Sequence, residues 1–508
     1  MKKIISTLTA LLIAIQSLNC VLIANSAESK SGSCGVTATW TFTSDGTLTI
    51  SGTGKMNNYE YGIRPWASVE SQIKKVVVND GIEYIGQTTF HNHKSLVEVQ
   101  IPGSVKKVGS YAFWYCESLE KVTLGEGLEE IGGAMFASCY SLKEITIPKT
   151  VTKICGSAFE KTSIKTIHIP DSVTEIIYGA FQECKSLESV TGAKNVTFVG
   201  ENAFKDSLYE SKLPNGENYI GRVFLKYAGT MPANTSVAIK DGTTVISAGA
   251  FMDCTGLKSV TFPDSLLSIE TFAFYKCTGL TELKFPDSLN SLGKGAFADC
   301  DSIESVVLNN RLKRIEDYIF QRSKITTFTI PERTQISSLT FSGMLSLTEL
   351  KVDPTNQYYT FADGILYNYD KTELIYCMKN VTEVNIPSTV KTIGENAFLN
   401  CASLTSVTIP SNVVEIGDWA FGRSGLTSAV VPDTVKSIGY GIFHTCKDLQ
   451  EVYIGSGINK LEYMTFEKCT SLKKVTLSEG LTLIYNRSFV ECTSLMSLTI
   501  PKSVTQIT

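Results

Sequence analysis

Apolar side chains return along this chain in one short arrangement, seen between residues 131 and 148 as Ile131-Gly132, Ala134, Phe136, Cys139, Ser141-Leu142, Ile145, Ile147 and Pro148. The unit reads I-G-x-x-A-F-x-x-C-x-S-L-x-x-V-x-I-P-x-x-V. Its L-x-x-V-x-I part has the period of a short strand buried on one side, and Pro with a polar pair turns the chain out of it. A second apolar pair, such as Val105 and Val108, leads into Gly-x-x-Ala-Phe. That segment predicts a tight helical or 3₁₀-like turn that wedges its Phe between neighbours.

The Phe recurs about every 22 or 23 residues, from Phe90 to Phe204, from Phe251 to Phe341 and from Phe398 to Phe489. Each unit offers about six apolar side chains, worth roughly 1.5–3 kcal/mol apiece when buried. Ordering some 23 residues costs roughly 1–2 kcal/mol each in backbone entropy. One unit cannot fold alone, whereas a stack shares each buried face with two neighbours, so the period predicts a repeat solenoid of about 18 coils.

The L-x-x-V-x-I core with its Cys, and the I-G-x-x-A-F block, resemble the BspA-like leucine-rich repeats of bacterial surface proteins over residues 73 to 508. The resemblance implies a right-handed leucine-rich-repeat solenoid, mostly β, with a concave parallel sheet and short helical turns on the convex side. It also implies a non-catalytic protein on the surface of a bacterium or secreted from it, since known relatives are described as adhesins for host proteins or other cells. Fold does not fix function, and many relatives have no assigned ligand.

Two aromatic interruptions break the period. Residues 205–236 hold Tyr209, Tyr219, Phe224 and Tyr227 with Pro214-Asn215-Gly216 as a turn signal, and residues 353–380 hold Tyr358, Tyr359, Phe361, Tyr367, Tyr369 and Tyr376 around Asp363-Gly364. Asp-Gly between apolar and aromatic residues predicts a β-hairpin, so each interruption reads as a hairpin insert. Tyr219, Tyr227, Tyr358, Tyr359 and Tyr367 are candidate ligand contacts, because amphipathic aromatics dominate interface hot spots; the alternative is packing across the hairpin.

The ends differ. Residues 1–27 carry Lys2-Lys3, an apolar run from Ile4 and small residues at Ala24, Ser26 and Ala27, which is the pattern of a secretory signal peptide. Asn19 before Cys20 makes a poor lipobox. Residues 28–72 resemble the N-terminal region of the same bacterial proteins, and Thr/apolar alternation around Asp45-Gly46 predicts a β cap over the first coil. At the other end Ile507-Thr508 falls where the next Gly-x-x-Ala-Phe is due, so a longer protein is expected, with a frayed, partner-covered coil as the alternative.

A formal net charge of −4, from 46 Lys and Arg against 50 Asp and Glu, gives no basic stripe for nucleic acid and no polybasic segment for membranes. No transmembrane segment is expected once the signal is removed. Ten of the 14 cysteines, among them Cys116, Cys139 and Cys184, stand three residues after the repeat Phe. Stacking would align them as inward thiols with parallel Cβ vectors, which disfavours disulfides. Where the turn is one residue shorter, after Phe159, Phe320 and Phe421, Thr162, Ser323 and Ser424 stand instead.

His91-x-His93 is the one metal-like pattern, and no Cys or carboxylate cluster completes four ligands; His93 itself holds the Cys position of its repeat. Neither a phosphate-binding loop nor a nucleophile elbow occurs, so no catalytic residue, metal or cofactor is implied. Recognition falls to the outward third and fifth positions of the strand. These are mostly Thr, Ser, Glu and Lys, and the departures Tyr453, with Glu451 and Lys474, and His168 are the candidates there. Few aromatics on this face make a carbohydrate less favoured than a protein or cell-surface ligand. The alternative role is a recognition module of a larger secreted enzyme or cell-wall protein.

Overall fold

A computed structural model describes residues 30–60 and 63–508, so the leader expected at 1–27 lies outside the described residues. The chain divides into two compact units, Met1–Gly229 and Thr230–Thr508. Each is a stack of β-coils, about 19 in all, with almost no helix.

In the first unit an antiparallel meander, Lys30–Ser33, Ala38–Phe42 and Thr47–Gly52, opens the stack. Its turn is fixed by Asp45, whose carboxylate accepts from Thr43 Oγ1 at 2.6 Å and from the Thr47 N–H at 3.1 Å. Thr47–Gly52 then presents its other edge to Lys75–Val78 in parallel, followed by Glu98–Ile101 and Lys121–Leu124. Alternation sends Val76, Val78, Val99 and Ile101 into the core and leaves Lys75, Glu98 and Gln100 toward solvent. Lys75 and Lys121 flank Glu98 at 3.2 and 3.6 Å.

The apolar pair that leads into each Phe segment is itself a strand. Lys107–Val108, Glu130–Ile131, Lys153–Ile154, Glu175–Ile176 and Phe198–Val199 run along a second side of the coils, the last four as one parallel ladder. Here too charge alternates along the stack, with Lys107–Glu130 at 2.9 Å and Lys153–Glu175 at 2.7 Å.

The third side corrects the expectation of helical turns. Among the described residues the helices are a 3₁₀ segment at Ala67–Gln72 and a single α-turn at Leu208–Ser211, both outside the Phe segments. Each Phe segment is instead a lobe of tight turns, with left-handed residues two before and two after the Phe everywhere but at Phe341, where only Gly343 is left-handed; Tyr111 (φ 61°) and Tyr115 (φ 63°) around Phe113 show the pattern. Left-handed backbone costs a non-glycine residue roughly 1–2 kcal/mol. What offsets it is a ladder between lobes. The N–H groups of Tyr111, Phe113 and Tyr115 donate to the carbonyls of Gly133, Met135 and Ala137 in the next coil, at 2.9–3.1 Å, each bond worth about 1 kcal/mol net.

Inside the lobes the rings stack. Trp66, Phe90, Phe113, Phe136, Phe159, Phe181 and Phe204 follow one another with centroids 5.2–5.8 Å apart. After Phe204 the chain forms an antiparallel pair, Gly216–Ile220 with Val223–Ala228, turning at Gly221-Arg222 rather than at Pro214-Asn215-Gly216.

The second unit repeats the plan. Outward-alternating strands include Thr327–Ile330 beside Glu349–Val352, and Ser428–Val431, Glu451–Ile454 and Lys474–Leu477 side by side. Two ring columns run through it, Phe251 to Phe320 and Phe398 to Phe489. Between them lies a three-stranded meander, Tyr359–Ala362, Ile365–Asn368 and Glu373–Cys377, with Asp363 (φ 53°) and Gly364 (φ 78°) at its first turn. Its last strand rejoins the stack by pairing in parallel with Thr392–Ile393.

Candidate functional site

The strand face of the second unit brings Tyr453, Glu451 and Lys474 together. Pairing of Glu451–Ile454 with Lys474–Leu477 sets Glu451 opposite Lys474, and the two side chains are bonded while both remain exposed. An exposed pair of this kind contributes about 0–1 kcal/mol to stability. Tyr453 is held more firmly: its hydroxyl donates to Asp433 Oδ1 at 3.1 Å and accepts from Ser478 Oγ at 3.1 Å. The Ser456 N–H reaches the same Asp433 oxygen at 2.7 Å. These bonds, the Ser456 N–H first and Tyr453 next, hold the Asp433 carboxyl below its usual range. A phenol ring is therefore fixed on the strand face with an acid and a base beside it.

His168 belongs to the first unit, exposed on Thr166–Ile169, with Nδ1 3.2 Å from Thr191 Oγ1 on the neighbouring strand. Gly192 leaves the space its ring occupies, since a Cβ there would stand 2.9 Å from the imidazole.

Of the insert tyrosines, Tyr219 is half-buried against Phe224 at 5.0 Å and donates to Glu217 Oε2 at 2.7 Å. Cross-strand pairing places Tyr227 opposite that same Glu217. In the second unit Tyr358 is exposed, 41% of its surface open, while Tyr359 accepts the Ile336 N–H on its hydroxyl at 2.9 Å. The Asn356 amide oxygen fixes both by accepting their N–H groups at 2.8 and 3.0 Å. Tyr367 is a correction: only 2% of its surface is open, and it packs among Ile365, Leu374 and Val390 in the core. A ring so placed offers nothing to a ligand.

The thiol row has a cause that periodicity did not disclose. In eight of the ten row positions the Cys Sγ donates to the carbonyl of the repeat Phe one coil earlier, as Cys116 to Phe90 (3.1 Å), Cys139 to Phe113 (3.2 Å) and Cys184 to Phe159 (3.0 Å), while after the meander Cys401 donates to Cys377 O at 3.6 Å. All 13 described cysteines are free, and burial raises Cys116 to about 12. His91 and His93 are not joined at a metal site: Arg64 Nη2 lies 3.3 Å from His91 Nδ1, and His93 accepts from Trp66 Nε1 at 3.1 Å. Among the described residues no group of three or more His, Cys, Asp and Glu side chains is placed to hold a metal, and no helix is long and apolar enough to cross a membrane.

The family described as BspA type Leucine rich repeat region (6 copies) matches residues 67–188, 141–231, 227–348, 372–467 and 420–508. The chain belongs to the BspA-type leucine-rich repeat family. No curated protein matches it. Among solved structures it is similar to a leucine-rich repeat protein from Eubacterium ventriosum, with 20% identity over 94% of this chain and 93% of that one and a TM-score of 0.29. A leucine-rich repeat protein from Bacteroides ovatus is 20% identical over 92% and 97%, with a TM-score of 0.29. A leucine rich cell surface protein from Faecalibacterium prausnitzii is 21% identical over 95% of each chain, with a TM-score of 0.23.

From coil to coil of this BspA-type chain the x positions of the lobe differ, and there the structure gathers residues that the strand-face reasoning missed. In the first unit Trp114 packs with Tyr111 at 5.5 Å and Tyr115 at 6.4 Å, and Tyr115 meets Tyr140 at 6.0 Å. Tyr178 stands nearby with 63% of its surface open, over the bare Cα of Gly156. In the second unit Trp419 (φ 54°) packs edge-on with His444 at 4.8 Å. The signal lay in the x positions flanking the BspA-type Phe, where aromatic residues have no part in the period.

Proposed function

We propose that this BspA-type repeat protein is a secreted or cell-surface protein of a bacterium that binds a protein or cell-surface ligand without catalysis. The observation that carries the reading is the Tyr453 cluster: an aromatic ring pinned by Asp433 and Ser478 on the strand face, with exposed Val430 opposite it and Glu451 and Lys474 beside it. Tyrosine held in one rotamer loses little entropy on binding, and such residues serve as hot spots. The charged pair beside it supplies orientation and on-rate more than affinity. His168 and Tyr358, both exposed, and Tyr219, half-buried on the hairpin, are secondary contacts.

The test is binding of the purified chain to immobilised extracellular-matrix proteins and to whole bacterial and host cells, repeated with Tyr453→Ala and with Glu451→Lys. For whichever ligand the parent chain binds, Tyr453→Ala should weaken binding by about 10-fold or more, the loss expected of a hot spot. Undiminished binding by both variants would remove the strand face from the account.

A further inference from the structure

At the meander of the second unit one coil lacks its lobe. The strand Glu373–Cys377 fills that level of the stack: the Cys377 N–H donates to Ala397 O at 2.7 Å, as the Phe398 N–H does to Ala420 O one coil later. Tyr376 meets Phe341 at 4.9 Å in the place of a column Phe. A straight strand carries no left-handed turns, so a groove of about 730 Å³ opens between the lobe before it and the lobe after it.

Three properties of the groove agree. Its charge is the first: Arg322, Lys379 and Arg423 line it with one carboxylate, Glu395, in a chain whose formal net charge is −4. Lys379 is half-buried and donates to Met344 O at 3.4 Å, and among the described residues no carboxylate pairs with it. Burial of an unpaired ammonium is unfavourable, and here it holds the Lys379 pKa below its ordinary value.

The second is backbone. In neighbouring coils the residue two after the Phe donates its N–H to the following lobe, as Asn400 does to Gly422 O at 2.9 Å. At the break the corresponding donor, Gly343 N–H, and the corresponding acceptor, Leu399 O, have no backbone partner among the described residues. One wall offers a donor and the other an acceptor, the complement of the C=O and N–H of a peptide unit.

Apolar surface is the third. Leu345 stands on one lip with 70% of its surface open. On the far wall the Trp419 indole lies across Gly441, where a Cβ would come within 3.0 Å of the ring.

We propose that this groove seats an extended acidic segment of a partner protein, its backbone bridging Gly343 and Leu399, a carboxylate on Lys379 and an apolar side chain between Leu345 and Trp419. The assignment rests on the reading of the chain as a protein-binding protein and names the chemistry of one partner segment.

Fluorescence anisotropy with a labelled alternating Leu-Glu hexapeptide, its Leu-Lys counterpart, and sialyllactose and glucuronate as competitors tests it. The acidic peptide should bind and the basic one should not. Lys379→Met should weaken the acidic peptide by about 10-fold, the scale of a lost charge-assisted contact, with Lys379→Arg retaining most of the affinity. Arg423→Gln, an exposed position, gives a second reading if Lys379→Met does not fold. Equal binding of both peptides, no binding of the acidic one, or indifference to both substitutions overturns the proposal; displacement of the bound acidic peptide by glucuronate or sialyllactose at concentrations near the peptide's own reassigns the groove to acidic sugars. Tyr453→Ala leaves this peptide untouched, so loss of the groove and loss of the strand face are read separately.

Discussion

His93 shows how a single departure from the repeat is explained by its neighbour. In most coils the position is a thiol that donates to a carbonyl of the coil before, but the ring before Phe90 is Trp66, whose indole N–H needs an acceptor. A neutral imidazole supplies one. Burial, and after it the Arg64 charge, push the His93 pKa down to about 3. Its 3.7 Å approach to Glu70 is therefore a contact of a neutral ring. Above an unfolded value of about 6.5 both states hold the same protons; below it only the unfolded chain takes one up. Stability should then fall by about 1.4 kcal/mol per pH unit from about pH 6.5 to about 3, over and above the carboxylate contributions. His93→Cys should lose about 1–3 kcal/mol at neutral pH by orphaning the Trp66 N–H, and should remove that acid slope. Urea unfolding at several pH values, parent against variant, measures both. The sequence showed that His93 occupies a Cys position; why it does depends on Trp66, from outside the repeat.

At the scale of the element, the strands and the ring column were legible because burial repeats with the chain. The lobes were not. Their left-handed positions hold Tyr111, Phe272, Trp419 and Arg423, residues with no turn preference, alongside Gly, Asn and Asp, so residue type alone does not mark them and the backbone is set by bonds to the next coil. Local propensity carries no record of a partner about 22 residues away. The thiol row follows from the same geometry. Burial raises the pKa of Cys116 to about 12 and of Cys446 to about 11, so these thiols stay protonated at neutral pH. A disulfide reagent at pH 8 should therefore leave the row largely unmodified in the folded protein, with partly exposed Cys155 and Cys492 reacting first. Mass spectrometry of the labelled cysteines resolves the order, and rapid uniform labelling would show that the row is not packed as described.

For the whole molecule, repetition makes the coil the unit of change. Glu383–Asn385 pairs with Ser406–Thr408, and Thr427 N–H donates to Thr405 O, so deletion of residues 406–427 joins Thr405 to Ser428 in register with Glu383. That shortened chain should keep its β circular dichroism spectrum, and its urea dependence should fall roughly in proportion to the surface removed. Removing only residues 406–416 shifts every later inward side chain out of register and should cost the structure of the following coils. The class of fold could be inferred from sixteen phenylalanines. The groove could not, because it is made by a lobe that the meander replaces, and Lys379, Leu345 and Trp419 meet there only once the coils are stacked.

The lobe bonds also give the stack an electrical direction. In the first unit the lobes from Phe90 to Phe181 hand N–H groups forward, so peptide dipoles add from coil to coil as they do along a helix, and the carbonyls of the opening lobe form the negative pole. The cap meets that pole with a cation. Arg64 donates to Thr88 O at 3.3 Å and to His91 O at 2.8 Å, and Tyr59 gives its N–H to Gln87 O at 3.2 Å. Arg64, buried and braced by Glu70 at 3.0 Å, thus places a guanidinium against the negative end of a polar stack, where bare carbonyls would otherwise lie.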